Sequence, residues 1–297
     1  MKTIGFVGLG SMGLPMAINL GKAGFAVTGF DLRVEARATL QAAGGEVAAS
    51  LAEAFSGRDA VVLMVVNAAQ AEDILFGQGA LAQLSPAGIV ILMATCPPAA
   101  VAALAARVEA AGHALVDAPV SGGVVGAEAA SLTIMAAARR RVFDAVKPVL
   151  DAMGSKVVFM GEEPGQGATA KAVNQLLCGA HLVIAAEALS LAEKLGVDTA
   201  AMLDIVSGSA ASSWMLRDRG ARMLEREPRV TSAVDIFVKD LGIVLEAGRD
   251  AKAALPMAAL AHQLFLSVSG RGLGAHDDSQ VIAAYRAMQG RDATDAT

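Results

Sequence analysis

Thr3-Ile4-Gly5-Phe6-Val7-Gly8-Leu9-Gly10-Ser11-Met12-Gly13 decides the fold. A short apolar run, Thr3–Val7, reads as a strand. It meets a G-x-G-x-x-G turn, and a helical pattern over Ser11–Ala23 follows. Each glycine answers a separate demand. Gly8 permits the tight turn, Gly10 removes a Cβ where a pyrophosphate would approach, and Gly13 lets helix pack on strand. The loop backbone at Leu9, Ser11 and Met12 and the helix N-terminus present N–H groups and a positive dipole end to phosphates. Standing between strand and helix, the motif reads as a dinucleotide site. Asp31 ends the second strand candidate, where a carboxylate can accept hydrogen bonds from ribose hydroxyls and repel a 2′-phosphate. That favours NAD. Arg33 and Arg37 lie close enough in sequence to hold a 2′-phosphate, so NADP stays open.

Outward from this unit, strand candidates recur at Phe25–Phe30, Ala60–Val65, Gly88–Met93 and His113–Asp117. They are near-continuously apolar and alternate with helical stretches at Val34–Ala43 and Pro98–Ala111, the pattern of a parallel sheet covered on both faces. Leu132–Ala137, a helix around Val142–Met153 and Lys156–Met160 close this half. After Gly161 the strands stop. Thr169–Leu195 reads as one long helix, followed by helical stretches at Ala200–Val206, Trp214–Glu225, Ile236–Ala251, Met257–Ser269 and Ser279–Met288. The expected fold class is α/β, a Rossmann-type doubly wound sheet domain followed by an all-helical C-terminal domain. The expected domains are a dinucleotide-binding domain over 1–162, a helical substrate and oligomerisation domain over 163–290, and a polar tail, 291–297, that frays.

Composition excludes several classes. Of 297 residues, 55% are apolar and 18% charged, too apolar for a disordered chain. A net charge of −5 without a basic run argues against a nucleic-acid groove. Cys96 and Cys178 lie far apart, so neither a zinc framework nor a disulfide scaffold is supported. His113, His181, His262 and His276 show no ligand spacing, and no metal is assigned. The chain starts directly on a strand pattern, which reads as cytoplasmic. The most apolar helical stretch, Leu176–Ala186, is too short to span a bilayer and reads as a buried helix, so no membrane partner is expected. Trp214 reads as a core or interface anchor, and Asp277-Asp278 as a solvated pair or helix cap.

Lys171, Asn174, Gln175 and Cys178 recur at i, i+3, i+4 and i+7, on one helix face. Burying a lysine and two amides in an otherwise apolar helix is costly unless they meet partners, so the face is expected to line a cleft. A desolvated lysine has a lowered pKa and serves as a general base. Ser121-Gly122-Gly123 follows the strand His113–Asp117 at its C-terminal end, where ligands of open α/β sheets bind. Its backbone N–H groups can receive a carboxylate.

Four segments occur in order: GFVGLGSMG, DAPVSGG at Asp117–Gly123, GATAKAVNQ at Gly167–Gln175 and FVKDLG at Phe237–Gly242. Together they resemble the β-hydroxyacid dehydrogenase family, the 3-hydroxyisobutyrate dehydrogenase type, over about residues 2–286. The resemblance implies oxidation of a small hydroxyacid with NAD at a site in the interdomain cleft, and a homodimer or homotetramer built partly on the long helix. It makes Lys171 the catalytic base and places Ser121, Gly122, Gly123, Asn174 and Asp240 at the substrate. It places Val66, Asn67, Thr95 and Lys239 at the cofactor. Within the family, the resemblance of VVNAAQ, SSWML, SAVDIFVKDLG and HDDSQVI implies L-threonate, oxidised at C2, as the expected substrate. The alternatives are 3-hydroxyisobutyrate, the tartronate and succinic semialdehydes, or a non-catalytic dinucleotide-binding protein. Departures from the family pattern fall at Ala94-Thr95-Cys96, at Ala136–Arg141 and at Gln175.

Overall fold

A computed structural model describes residues 1–290. The expected tail, 291–297, lies outside the described residues. The chain divides into two compact units, Met1–Lys171 and Ala172–Thr297.

The first unit alternates as its periodicity demands. In order come β1 (Thr3–Val7), α1 (Gly13–Lys22), β2 (Ala26–Phe30), α2 (Val34–Ala42), β3 (Glu46–Val47), α3 (Leu51–Phe55), β4 (Ala60–Leu63) and α4 (Ala68–Glu72). A π-helical turn, Asp73–Gly77, and a 3₁₀ turn, Ala80–Gln83, lead to β5 (Ile89–Leu92), α5 (Pro98–Ala110), β6 (Ala114–Asp117), β7 (Val120–Ser121) and α6 (Gly123–Glu128). Then follow β8 (Thr133–Ala137), α7 (Arg140–Asp151) and β9 (Lys156–Gly161). The sheet order is β3-β2-β1-β4-β5-β6-β8-β7, with β9 beside β8. The first six strands are all parallel. This order, with its reversal between β1 and β4, is that of the Rossmann fold. β8 runs antiparallel to β6 and β7.

Side-chain alternation sorts the strand residues into two cores, one per face. Ile4, Phe6, Val62, Ile91 and Val116 join Met16 and Leu20 of α1 and Phe143 and Val146 of α7. Val61, Leu63, Val90, Leu92 and Leu115 join Phe55 of α3 and Val101, Leu104 and Val108 of α5. Strands buried on both faces must be apolar at every position, which is why they read as continuous runs.

Helix α8 (Gln166–Lys194) contains the division between the units. In the second unit it is followed by α9 (Thr199–Ser207), α10 (Trp214–Leu224), α11 (Val234–Asp250), α12 (Pro256–Val268) and α13 (Ile282–Met288). Their core gathers Leu182, Leu189, Met223, Leu241, Phe265 and Ile282, with Phe237 stacked on Phe265 at 4.9 Å between ring centres.

Three sequence expectations need correction here. Asp277 and Asp278 are not solvated; both are buried. Asp278 takes a charge-paired bond from Arg219 Nε at 2.7 Å, and Asp277 accepts the Thr231 N–H at 2.9 Å while capping the turn at Ser279. Burial lifts the Asp278 carboxyl above its ordinary range against the pull of Arg219. Of the two roles expected of Trp214, core or interface anchor, its place at the start of α10 with 46% of its surface exposed excludes only the core of this unit. Finally, α8 has 29 residues, and by length and composition it could cross a membrane. Its apolar run looks short in the sequence because His181 breaks it and Glu187 follows it; neither interrupts the helix. Half of its most apolar stretch is already buried inside the protein, as in a core helix.

Candidate active site

Parallel strands deliver their outgoing loops to one edge of the sheet. Gly8 follows β1, Asp31 follows β2, Val66 and Asn67 come shortly after β4, and Thr95 after β5. Ser121 ends β7, just beyond β6. Every candidate residue of the sheet unit except Lys171 thus sits on the C-terminal side of a strand.

The glycine loop has the shape its spacing demands. Gly8 has φ +94°, and a Cβ there would stand 2.3 Å from the Met64 carbonyl oxygen. A Cβ on Gly13 would lie 1.9 Å from the Gly8 carbonyl oxygen. At Gly10 it would meet nothing nearer than the Arg33 guanidinium at 3.8 Å, so the approach is open. Helix α1 begins at Gly13, with Ser11 and Met12 in the turn before it, and Leu14 N–H bonds back to the Gly10 carbonyl at 3.0 Å. Its N-terminus has neither a side-chain cap nor an acidic residue in the first turn. Open space, unspent donors and a positive helix end fit a dinucleotide pyrophosphate.

Asp31 is engaged within the protein itself. Its Oδ2 accepts the Leu9 N–H at 2.7 Å, and its Oδ1 accepts the Arg33 N–H at 2.9 Å. The Arg33 side chain bonds the same carboxylate through Nε at 3.1 Å and the Leu9 carbonyl through Nη2 at 3.1 Å. Burial pushes the Asp31 carboxyl up, but Arg33 and the two main-chain donors together hold it below the ordinary range. Asp31 and Arg33 therefore clamp the glycine loop as a pair. Asn67 caps α4, accepting the Gln70 N–H at 2.9 Å, while Val66 beside it is half exposed. Thr95 is part-buried and flanked by the buried Ala94 and Cys96. Gly122 and Gly123, with φ of +133° and +62°, turn the chain out of β7 into α6. Lys171 is buried.

In the helical unit Asn174, Gln175 and Asp240 form one polar chain. Asn174 Nδ2 donates to Gln175 Oε1 at 3.0 Å. Gln175 Nε2 donates to Asp240 Oδ2 at 2.6 Å, joining α8 to α11. Lys239 Nζ closes the chain on Asp240 Oδ1 at 2.7 Å. The pairing of Asn174 with Cys178 at 3.4 Å follows from their one-turn spacing. Gln175, a departure from the family pattern in the sequence, is thus the residue that secures Asp240. The sequence pattern did not single out Asp117 for a site. Asp117 ends β6 fully buried, where its Oδ2 accepts main-chain N–H groups of Gly165 and Ala168, each at 2.8 Å. The available signal was an acid closing an apolar strand, since a buried charge must find partners. Among the described residues no group of His, Cys, Asp and Glu is disposed to hold a metal.

With this geometry in hand, comparisons with known proteins place the chain. Residues 3–161 match the family described as the NAD binding domain of 6-phosphogluconate dehydrogenase. Residues 165–285 match that described as NAD-binding of NADP-dependent 3-hydroxyisobutyrate dehydrogenase. The chain belongs to the β-hydroxyacid dehydrogenase family of the 3-hydroxyisobutyrate dehydrogenase type, and it is an oxidoreductase that acts on a hydroxyacid with a nicotinamide dinucleotide. Among its relatives is the L-threonate dehydrogenase of Cupriavidus necator, 42% identical over 97% of both chains. The 2-(hydroxymethyl)glutarate dehydrogenase of Eubacterium barkeri is 37% identical over 97% of this chain and 96% of its own. A crystal structure of 3-hydroxyisobutyrate dehydrogenase from Salmonella typhimurium superposes with a TM-score of 0.91 at 40% identity, covering 95% of this chain and 99% of the other.

Proposed function

We propose that this enzyme oxidises L-threonate at C2 to the 2-oxo acid, with NAD preferred and Lys171 as general base. The observation that carries the base assignment is a lysine buried near the start of α8, in the segment GATAKAVNQ. A bound nicotinamide dinucleotide supplies the hydride acceptor. The glycine loop Gly8–Gly13, Asp31, Val66, Asn67, Thr95 and Lys239 hold it. The Lys171 Nζ takes the proton of the substrate hydroxyl as the C–H bonding pair leaves the same carbon, so a carbonyl remains. The N–H groups around Ser121, Gly122 and Gly123 receive the substrate carboxylate, and Asn174 and Asp240 are assigned to its remaining polar groups. L-threonate is supported by the names of relatives at this level of identity. The alternative, 3-hydroxyisobutyrate, is supported by the name of the Salmonella typhimurium protein. The same reading puts the enzyme in the cytoplasm, among small metabolic acids and dinucleotides.

Turnover of the purified protein with L-threonate, 3-hydroxyisobutyrate, L-serine and tartronate semialdehyde, each with NAD(H) and NADP(H), tests this. L-threonate with NAD is expected to show the highest kcat/KM. A higher value for 3-hydroxyisobutyrate would replace the substrate, and no turnover of any acid would end the reading.

We also propose that a second copy of the chain covers α8. Val173, Leu177, Ile184, Leu191 and Leu195 are exposed at spacings of four and seven, which puts them along one side of the helix with His181 and Glu187 between them. Light scattering at micromolar concentration is expected to give a homodimer or homotetramer, and a monomer would refute it.

A further inference from the structure

We propose that Asp117 is a positioning residue for Lys171: one buried carboxylate at the end of β6 ties the N-terminus of α8 to the strand that leads into Ser121–Gly123. This rests on the reading of Lys171 as the base. The tie is long-range, since Gly165 and Ala168 lie 48 and 51 residues beyond Asp117. The Gly167 N–H is directed at the same carboxylate. The fit leaves no slack. A Cβ on Gly167 would stand 2.4 Å from the Met135 carbonyl oxygen and 2.9 Å from that of Asp117. One on Gly165 would stand 3.0 Å from the Pro98 carbonyl oxygen. The helix end is thus pressed onto β6, β8 and the start of α5.

Lys171 follows Ala168 by less than one turn, roughly 4.5 Å along the axis. A displacement of the helix end therefore reaches the lysine almost undiminished. On the other side, Asp117 leads through Ala118 and Pro119 into β7. Ala118 N–H bonds the Leu92 carbonyl at 2.8 Å, and the Pro119 carbonyl accepts the Met135 N–H at 3.0 Å, so this connection is rigid. The residue that fixes the start of the lysine helix is therefore four residues ahead of the turn proposed to receive the substrate carboxylate.

The anion also matters as a charge. Unsatisfied N–H groups make a helix start electropositive, which disfavours an ammonium in the next turn, and a carboxylate on those donors offsets this. Burial pushes the Asp117 carboxyl up to about 6 against the pull of its main-chain donors, so it is ionised in an assay above neutral pH.

The test compares Asp117→Asn, Asp117→Ala and Lys171→Ala in the full chain with NAD. Asp117→Asn keeps an acceptor for the helix and removes the charge. It is expected to fold, keep the KM for NAD within about twofold, and lower kcat roughly tenfold. Its rate–pH midpoint in the oxidation direction should move to lower pH by roughly half a unit, because no anion then offsets the electropositive start of α8. Asp117→Ala, which also leaves the helix donors unbonded, should lose about a hundredfold or more in kcat. If it does not fold, Asp117→Asn decides. An Asp117→Asn enzyme with the wild-type rate and pH profile beside an inactive Lys171→Ala would overturn the positioning role and leave the base intact. A loss of rate with an unmoved pH profile overturns it as well, since that reports damage to the fold alone. A Lys171→Ala enzyme at the wild-type rate removes the underlying reading.

Discussion

The glycine loop after β1 and the amide–carboxylate chain between α8 and α11 place polar groups in opposite ways. The loop leaves space and unspent donors at Gly10 and the start of α1, and its strained glycines are accounted for by backbone contacts within the loop or with the chain just after the adjacent β4. The helical chain leaves little unspent: Gln175 holds Asp240, and Lys239 closes on it. The first arrangement is local and is recognised by its spacing. The second is made of common residue types whose partners are 65 positions apart. A protein can therefore carry one polar arrangement left open to a ligand and another that first satisfies itself, and substitutions in the two should fail differently.

The largest expected effect lies at the proposed base. Lys171→Ala should lower kcat by roughly 10²–10⁴-fold while NAD affinity, set by the loop, changes little. Lys171→Arg should not rescue, since a guanidinium cannot accept the proton. Steady-state kinetics with NAD titrations check both. The next lies in pH-dependent stability. The Asp117 carboxyl is raised to about 6 from an ordinary 3.8, so the folded state binds its proton more tightly than the unfolded chain. Its contribution is therefore fully present below about pH 4 and lost as pH rises through about 6, a cost of about 3 kcal/mol to the ionised form. The stability difference between wild type and Asp117→Asn, measured by denaturant unfolding at pH 5 and pH 8, should move in favour of the variant at the higher pH. An unchanged difference would contradict the assignment.

Within the helical chain, Gln175→Ala removes a donor from a buried carboxylate and should cost about 2 kcal/mol of stability. A variant as stable as wild type in thermal unfolding would mean that Lys239 alone suffices. In the loop, Gly10→Ala should leave the melting temperature nearly unchanged, because a Cβ there meets nothing closer than 3.8 Å. It should still weaken NAD binding by about tenfold or more, where the new methyl meets the pyrophosphate. Gly8→Ala should reverse this order, destabilising the fold itself through φ +94° and the Met64 carbonyl. The smallest effect concerns the ribose. Asp31 should favour NAD over NADP by about tenfold in kcat/KM, roughly 1.4 kcal/mol. Arg33→Ala should widen that ratio by freeing the carboxylate and removing a cation, and a narrowed ratio would show that Arg33 works against NADP already.

The alternating sheet unit, the helical unit after it and the glycine loop are legible in the order of residues alone. Each of these is written in short-range patterns: apolar runs for strands buried on both faces, a period of 3.6 for the helices, and G-x-G-x-x-G between strand and helix. That order also puts Lys171, Asn174 and Gln175 on one helix face, because one turn of helix fixes that relation locally. The rest depends on contacts between segments far apart in the chain. Strands β3 and β7 have two residues each, too few to carry a periodic signal, and exist because a neighbouring strand offers its edge. Asp277 and Asp278 look like a solvated pair until Arg219, 59 residues away from Asp278, is folded against it. Asp117 reads as the end of a strand until α8 is brought down upon it. A buried charge is tolerated only where its partners converge, and that convergence is a property of packing between distant segments, which no local pattern encodes.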